Sequence, residues 1–227
     1  MARLTTLLFA MWLGVTVSTV VDLEKRILGG RECGPNERQY HVKLMTNGDF
    51  CGGSLITDRW ILTAGHCFKQ GGTFTAHIGG YPGPPKKVGI KDPPEFLNDG
   101  EEHDLMLLKL PEAVDIKPVQ VPTINILPRA NGSAGLSCVG LDISVCKTFK
   151  ALKDQHFICT QTLLLGIHPG DTGGGVMYQD MIYGVISQGY KNSVAGSPIW
   201  AMGLCYGPYK EWIKKTTAQP RANLTFG

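Results

Sequence analysis

The chain has 227 residues, 43% of them hydrophobic and 18% charged, and its formal net charge is +3. This composition excludes a disordered or fibrous protein and predicts one ordinary folded domain, or two small domains that are tightly joined. A net charge this small gives no reason to expect nucleic acid as a partner.

The first residues have the pattern of a secretory signal peptide. Arg3 precedes an apolar run at residues 7–17, and residues 16–18 are small enough to precede a cleavage site. The run is too short to span a membrane, and no later segment is sufficiently apolar. We therefore expect residues 1–18 to be removed and the mature protein to be soluble and secreted, with no membrane contact. The alternative for this segment is a buried N-terminal helix.

Seven cysteines fit an oxidising compartment, where pairs form disulfides, and the odd number leaves at least one thiol over. Asn131 and Asn223 begin two N-glycosylation acceptor patterns, so we expect glycans there if the chain is exported. The sequence contains no Cys-x-x-Cys pair, no His-Glu-x-x-His helix and no acidic cluster suited to calcium. We therefore expect neither a metal nor another cofactor.

Beyond the leader, short apolar runs alternate with Gly, Pro and Asn turns, which is typical of an all-β sandwich or barrel. The dipeptide Asn47–Gly48 predicts a tight hairpin. The proline-rich stretch "YPGPPKKVGIKDPPEF" is interpreted as a surface loop. A helix is predicted near the end, where Pro208 suits the first turn and Tyr209, Trp212 and Ile213 fall on one face.

Three short motifs carry candidate chemistry: "LTAGHC" with His66, "HDLMLLKL" with Asp104 and "GDTGGG" with Thr172. A nucleophilic hydrolase needs a hydroxyl, an imidazole that takes its proton and a carboxylate that orients the imidazole. The triplet Asp-Thr-Gly also occurs in two-aspartate proteases. That mechanism needs two such loops, from one chain or from a dimer, and this chain has one. It would also leave His66 and Cys67 unexplained.

Taken together, the motifs resemble the trypsin-like serine proteases of the chymotrypsin fold, peptidase S1. The resemblance extends from Ile27 to about Ile213 and includes "KRILGG", "CGGSLI", "WILTAGHC", "DLMLLKL", "GVISQG" and "YKEWIKK". It implies an all-β fold of two six-stranded antiparallel β-barrels, the second shortened, followed by a C-terminal α-helix. It also implies an activation propeptide at 19–26 and a peptidase domain at 27–227.

The resemblance assigns roles to residues at the activation junction. Cleavage after Arg26 would free the amino group of Ile27, which would bind Asp171 and order the oxyanion loop. The resemblance also implies a disulfide between Cys51 and Cys67, beside the base. In an uncleaved precursor, Asp171 would instead cap its own turn.

By the same resemblance, the backbone N–H groups of Gly170 and Thr172 form the oxyanion hole. The specificity pocket would contain Gly166, Ser187 and Gly189. Gly166 stands where enzymes that cut after Lys or Arg have an aspartate, so this pocket has no charge for a basic side chain. The two cysteines that close this pocket in the family are replaced by His168 and Asn192.

Thr172 is a departure at the nucleophile itself. Threonine keeps a hydroxyl, but the added methyl stiffens χ1 and crowds the attacking oxygen. The methyl must point at the imidazole or into the space for the scissile carbonyl. Since a misplacement of about 1 Å costs on the order of a hundredfold, we expect hydrolysis to be weak or absent.

The second barrel carries another departure, because the chain between Cys138 and Cys159 is much shorter than the family pattern. Cys146 pairs with Cys33 if "ISVCKTF" is the surviving strand, and otherwise with Cys159. The resemblance does not indicate a disulfide partner for Cys138 or for Cys205. A transcript that lacks an exon, and that does not fold, would produce the same shortening.

The sequence therefore predicts a secreted, zymogen-like monomer with a His66–Asp104–Thr172 triad that is impaired at the nucleophile. In this interpretation it acts by binding a protein ligand, such as a protease inhibitor. The alternative is a working endopeptidase that uses Thr172 on a polypeptide substrate and cleaves after small or apolar residues.

Overall fold

A computed structural model provides the structure of the protein. The residues it describes are 31–34, 37–80, 83–122, 132–134, 137–141, 143–145, 156–160, 169–188 and 199–218. The predicted signal peptide and activation propeptide lie outside these ranges, so their boundaries stay predictions.

The described residues form fourteen strands and one α-helix. In chain order the strands are β1 (Arg31–Glu32), β2 (His41–Thr46), β3 (Asp49–Leu55), β4 (Trp60–Thr63), β5 (Phe74–Ile78), β6 (Lys86–Ile90), β7 (Met106–Lys109), β8 (Gly132–Ala134), β9 (Ser137–Leu141), β10 (Ile143–Val145), β11 (Phe157–Thr160), β12 (Gly175–Tyr178), β13 (Met181–Gln188) and β14 (Ile199–Gly203). The helix, α1, comprises Gly207–Thr217.

The first sheet contains six antiparallel strands in the order β6-β5-β2-β3-β4-β7. Beyond β6 the chain returns to the opposite edge, where Glu95 and Leu107 of β7 exchange two backbone hydrogen bonds of 2.9 Å. The two edges of the sheet are thereby brought together, as in a barrel. The predicted all-β fold and its six-stranded first half are confirmed.

Local sequence explains the centre of this sheet. Along β2, buried and half-buried residues alternate, with Val42, Leu44 and Thr46 buried, as expected for a strand with one face in the core. The hairpin to β3 turns at Asn47 (φ 43°) and Gly48 (φ 89°), both left-handed. These angles suit the two-residue turn that Asn-Gly favours, so the predicted hairpin is confirmed.

The proline-rich stretch is not entirely a loop, because it contains β6. This strand lies at the edge of the sheet, and four of its five residues are exposed or half-exposed, with Ile90 buried. An edge strand in contact with water lacks the apolar alternation that identifies strands in a sequence. That is why the strand was missed.

The second sheet has eight strands in the order β1-β9-β8-β12-β13-β14-β11-β10. The sequence predicts six strands for this half, and the count rises because short segments pair with both edges. Strand β1 pairs with β9, and β10 pairs with β11. Strand β10 lies within "ISVCKTF", the stretch considered as the surviving strand.

The segment between the two sheets binds to both of them. The Val119 N–H donates to the Leu55 carbonyl of β3, and the Ile182 N–H of β13 donates to the Gln120 carbonyl, both at 2.9 Å. The sheets are therefore joined by consecutive residues of one connection.

The predicted C-terminal helix is confirmed. Pro208 lies in its first turn, and Tyr209, Ile213 and Thr216 are buried while Lys214 is exposed. Lys214 and Lys215 in the last turn stabilise the helix, because their positive charges interact favourably with the negative end of the helix dipole. Among the described residues, no helix has the length and apolar character needed to cross a membrane.

Candidate active site

Strand register places His66 beside Asp104. His66 lies on a short 3₁₀ turn (Gly65–Cys67) that follows β4, and Asp104 comes two residues before β7. Strands β4 and β7 are antiparallel neighbours in which Thr63 pairs with Met106. The end of one strand and the start of the other therefore coincide, so the two side chains meet.

The two side chains form a close pair. Nδ1 of His66 lies 2.9 Å from Oδ2 and 3.1 Å from Oδ1 of Asp104, and the His66 backbone N–H donates to Oδ1 at 2.7 Å. Ser187 of β13 also donates its hydroxyl to Oδ2. The second sheet thus contributes a side chain that helps to hold the carboxylate of the first.

Electrostatics keep Asp104 ionised. Burial alone would raise the pKa of this carboxyl, but the hydrogen bonds and charge of His66 and the Ser187 hydroxyl outweigh it and lower the pKa below its ordinary value. An ionised Asp104 accepts a hydrogen bond from Nδ1–H and so leaves Nε2 as the acceptor in the neutral imidazole. This is the tautomer a general base requires.

The loop that carries Thr172 is anchored by backbone hydrogen bonds to both sheets. The Gly52 N–H of β3 donates to the Thr172 carbonyl, and the Gly173 N–H donates to the Ile186 carbonyl of β13, both at 2.7 Å. Gly173 has φ 84°, and a Cβ there would lie 2.3 Å from the Gly52 carbonyl oxygen. Only glycine fits this position.

A disulfide contacts both the candidate nucleophile and the candidate base. Cys51 and Cys67 are bonded as the resemblance implied. The Thr172 hydroxyl lies 3.8 Å from Cys51 Sγ, and Nε2 of His66 lies 4.0 Å from Cys67 Sγ. The structure therefore brings the three predicted triad residues together around this disulfide. The sulfurs are bonded to each other and are not thiolates, so with His66 they form no metal site.

The oxyanion-hole candidates Gly170 and Thr172 lie on either side of Asp171, and their role stays a prediction. Gly170 and Asp171 end a 3₁₀ turn (Pro169–Asp171), and Thr172 follows directly. The ring of Phe50 packs so closely on Gly170 that a Cβ there would lie 1.7 Å from Cε2 of the ring. Ile27, the predicted partner of Asp171, lies outside the described residues.

Comparison with known proteins agrees with this architecture. The sequence model of the family described as Trypsin matches residues 27–213. The chain belongs to the trypsin family. It is similar to anionic trypsin of Canis lupus familiaris, at 27% identity over 93% of this chain and 98% of that protein, and to putative trypsin-6 of Homo sapiens, at 29% identity over the same shares.

A solved structure shows the same fold. Kallikrein-related peptidase 10 superposes with a TM-score of 0.64, covering 84% of this chain and all of that one, at 24% identity. At this identity the likeness concerns the fold alone. The trypsin fold predicted from the motifs is therefore confirmed, while the activity of this member is a separate question.

Several predicted residues of the trypsin site lie outside the described part of the chain. They are Arg26, Ile27, Asn131, Cys146, Gly166, His168, Gly189, Asn192 and Asn223. Their roles stay predictions. Cys159 is disulfide-bonded. Because Cys146 lies outside the described residues, its pairing with Cys33 and its pairing with Cys159 both stay open. Ser187 was predicted to line the specificity pocket, and sequence reasoning missed its hydrogen bond to Asp104.

A second hydrogen-bond network joins Asp99, His103 and Tyr209, and the sequence did not predict it. His103 places Nε2 2.9 Å from Oδ1 of Asp99, and Nδ1 2.9 Å from the hydroxyl of Tyr209. The His103 side chain is 4% exposed, and burial raises the pKa of the Tyr209 hydroxyl, which therefore stays protonated. These bonds attach the segment before β7 to α1, a link that no local sequence signal reveals.

A cleft of about 500 Å³ opens beside the His66–Asp104 pair. Its lining residues are Gly65, His66, Phe96, Leu97, Glu101, Glu102, His103, Asp104, Phe157, Ser187 and Trp200. They come from turns and loops that flank β4 and β7 of the first sheet and from β11, β13 and β14 of the second. A ligand held in this cleft would lie directly against the candidate base.

Proposed function

We propose that this protein is a secreted, zymogen-like trypsin homologue whose triad is assembled but impaired at Thr172, and which acts by binding a polypeptide. The observation that carries the proposal is the contrast within the site. Asp104 and His66 have the geometry and charge of a working pair, whereas the Thr172 hydroxyl contacts a disulfide sulfur at 3.8 Å.

The contact matters because Cβ of threonine carries two heavy atoms, which restrict its χ1 rotamers. The direction taken by Oγ1 fixes the direction taken by the methyl. Oγ1 lies 3.8 Å from Cys51 Sγ, and the proposal is that the rotamer with this contact does not favour proton transfer to Nε2 of His66. General-base transfer needs a separation of about 2.6–3.2 Å between donor and acceptor.

The rest of the site supports binding. The cleft beside His66 is formed, and the nucleophile loop is fixed to both sheets. Gly166 offers no charge in the predicted specificity pocket. Protein ligands that occupy such clefts in active trypsins, protease inhibitors among them, need the shape of the cleft and not a reactive hydroxyl.

Export and activation rest on sequence signals. Residues 1–18 have the pattern of a signal peptide, and a disulfide such as Cys51–Cys67 persists in oxidising compartments. The family match begins at Ile27, directly after the predicted cleavage site. The proposal includes a monomer, glycans at Asn131 and Asn223, and a zymogen-like precursor with a cleavage site after Arg26.

The test uses the chain produced from Ile27 with a free N-terminus, beside Thr172→Ser and Thr172→Ala. Each is treated with a broad serine-hydrolase phosphonate. We expect labelling of Thr172→Ser at least about a hundredfold faster than labelling of the native chain, and none of Thr172→Ala. Rapid labelling of the native chain at Thr172 would overturn the proposal.

The second candidate function is an active endopeptidase that uses Thr172. The intact His66–Asp104 pair favours it, because the base is oriented for catalysis. It requires the native chain to hydrolyse peptides after small or apolar residues, and Thr172→Ala to abolish that hydrolysis. Binding of a partner, by contrast, survives Thr172→Ala.

A further inference from the structure

The cleft beside His66 combines two kinds of side chain that suit one ligand chemistry. Phe96, Phe157 and Trp200 supply aromatic surface, and the rings of Phe157 and Trp200 meet edge to face with centroids 5.8 Å apart. Phe96 is 41% exposed and is the large hydrophobic residue that stands out as exposed in the described part of the chain.

The same cleft is acidic. Glu101 and Glu102 line it and are exposed, and Asp104 lies at its inner wall with a lowered pKa. Among the described lining residues there is no lysine or arginine. The described lining therefore has an excess of acidic side chains, whereas the whole chain has a net charge of +3.

This combination discriminates between ligands. An anionic group would be repelled by the carboxylates, and a purely apolar group would dehydrate them without compensation. A lysine or arginine side chain has an apolar stem for the aromatic surface and a cationic head for the carboxylates. Cations are also attracted to the faces of aromatic rings, most strongly to tryptophan.

We propose that this cleft recognises a basic side chain, arginine or lysine, on the polypeptide that the protein binds. The inference rests on the proposed function and adds the chemistry of the ligand. Glu101, Glu102 and the aromatic side chains of the cleft bind the basic residue. The predicted specificity pocket does not, because Gly166 has no charge there.

The test measures fluorescence anisotropy with a set of labelled alanine peptides in which one arginine is moved through the chain. A matched set carries citrulline, which has the same shape without the charge. Binding is measured on Thr172→Ala, so that cleavage cannot interfere, and on the native chain. For the best position we expect arginine to bind about tenfold more tightly than citrulline. Lysine peptides and free arginine amide form two further arms.

Two double variants separate the cleft from the overall charge. Glu101→Gln with Glu102→Gln should abolish the preference for arginine over citrulline. Glu112→Gln with Asp115→Asn removes the same charge from exposed positions outside the cleft lining and should leave the preference intact. Equal losses in the two double variants would overturn the proposal.

Equal binding of the arginine and citrulline peptides, or no binding of either at about 1 mM, would also overturn it. Free arginine amide that binds as tightly as the best peptide would overturn the assignment to a polypeptide. If the native chain cleaves the peptides while Thr172→Ala binds them, the proposed loss of activity fails. The arginine preference is then still measured on Thr172→Ala, so the two failures are distinguishable.

Discussion

The two halves of the site are held in different ways. His66 and Asp104 come from neighbouring strands of one sheet, and their meeting follows from the pairing of Thr63 with Met106. Thr172 lies on a loop whose position depends on hydrogen bonds to β3, which is far away in sequence, and to β13, which follows the loop. A change of the nucleophile therefore leaves the base and its carboxylate undisturbed. A site of this kind can lose chemistry while it keeps its shape.

The largest effect is expected from a substitution in the His66–Asp104 pair. In the Thr172→Ser background, Asp104→Asn should slow phosphonate labelling by about 10⁴-fold, because asparagine favours the wrong tautomer of His66. The measurement is the second-order rate constant of labelling. Asp115→Asn, an exposed site outside the cleft lining, serves as the control and should leave the rate unchanged. Loss of labelling in both variants, or in neither, would contradict the role of the pair.

The loop that carries Thr172 should be most sensitive to a substitution that disturbs its backbone at Gly173. Gly173→Ala places a Cβ 2.3 Å from the Gly52 carbonyl oxygen at φ 84°, so we expect it to destabilise the protein by about 3 kcal/mol or more. Gly71→Ala is a matched control, because Gly71 has φ 77° and nothing within 4 Å of the added atom. That variant should cost about 1 kcal/mol. Urea unfolding of both variants measures the difference, and equal losses would show that the close approach is irrelevant.

A smaller effect is expected where the intact half is attached to α1. Tyr209→Phe removes the hydroxyl that bonds Nδ1 of buried His103, and we expect a loss of about 1–2 kcal/mol in the free energy of unfolding. Tyr178→Phe, at a half-buried site, is the comparison and should cost less. A loss no greater than that of Tyr178→Phe would mean that the bond contributes nothing.

The smallest effect is a dependence of stability on pH. The pKa of Asp104 is lowered in the folded state below its ordinary value of 3.8. Its ionisation therefore contributes stability that is fully present above pH 3.8 and is lost as the pH falls through the folded pKa. Urea unfolding of the native chain and of Asp104→Asn, compared between neutral and acidic pH, measures this contribution. The acid-induced loss should be smaller in Asp104→Asn, and parallel pH profiles would contradict the expectation.

What the sequence could predict was local. The hairpin at Asn47–Gly48 was predictable because that dipeptide favours left-handed angles at both positions. The hairpin between β12 and β13 turns at Gln179 and Asp180 with φ 45° and 60°, and it was not predicted, because Gln-Asp carries no such preference. There the pairing of the flanking strands imposes the angles.

The site was predictable to the same degree. Three motifs supplied His66, Asp104 and Thr172 as candidates. His66 bonds Asp104, and His66 and Thr172 contact the two sulfurs of one disulfide. The cleft and the bond between His103 and Tyr209 join residues that are distant in sequence, including Phe96 with Trp200. Such juxtapositions depend on how loops and strands that are distant in sequence pack against one another, which no local pattern of residues specifies.

Gly52 connects the two halves through a single residue of the backbone. The Gly52 N–H donates a hydrogen bond to the Thr172 carbonyl, and the Gly52 carbonyl accepts one from the Thr63 hydroxyl, each at 2.7 Å. A local opening that releases the nucleophile loop must therefore expose the Gly52 amide, and one that frees β3 must loosen Thr172. Hydrogen exchange at the Gly52 amide therefore reports directly on the release of the nucleophile loop from β3.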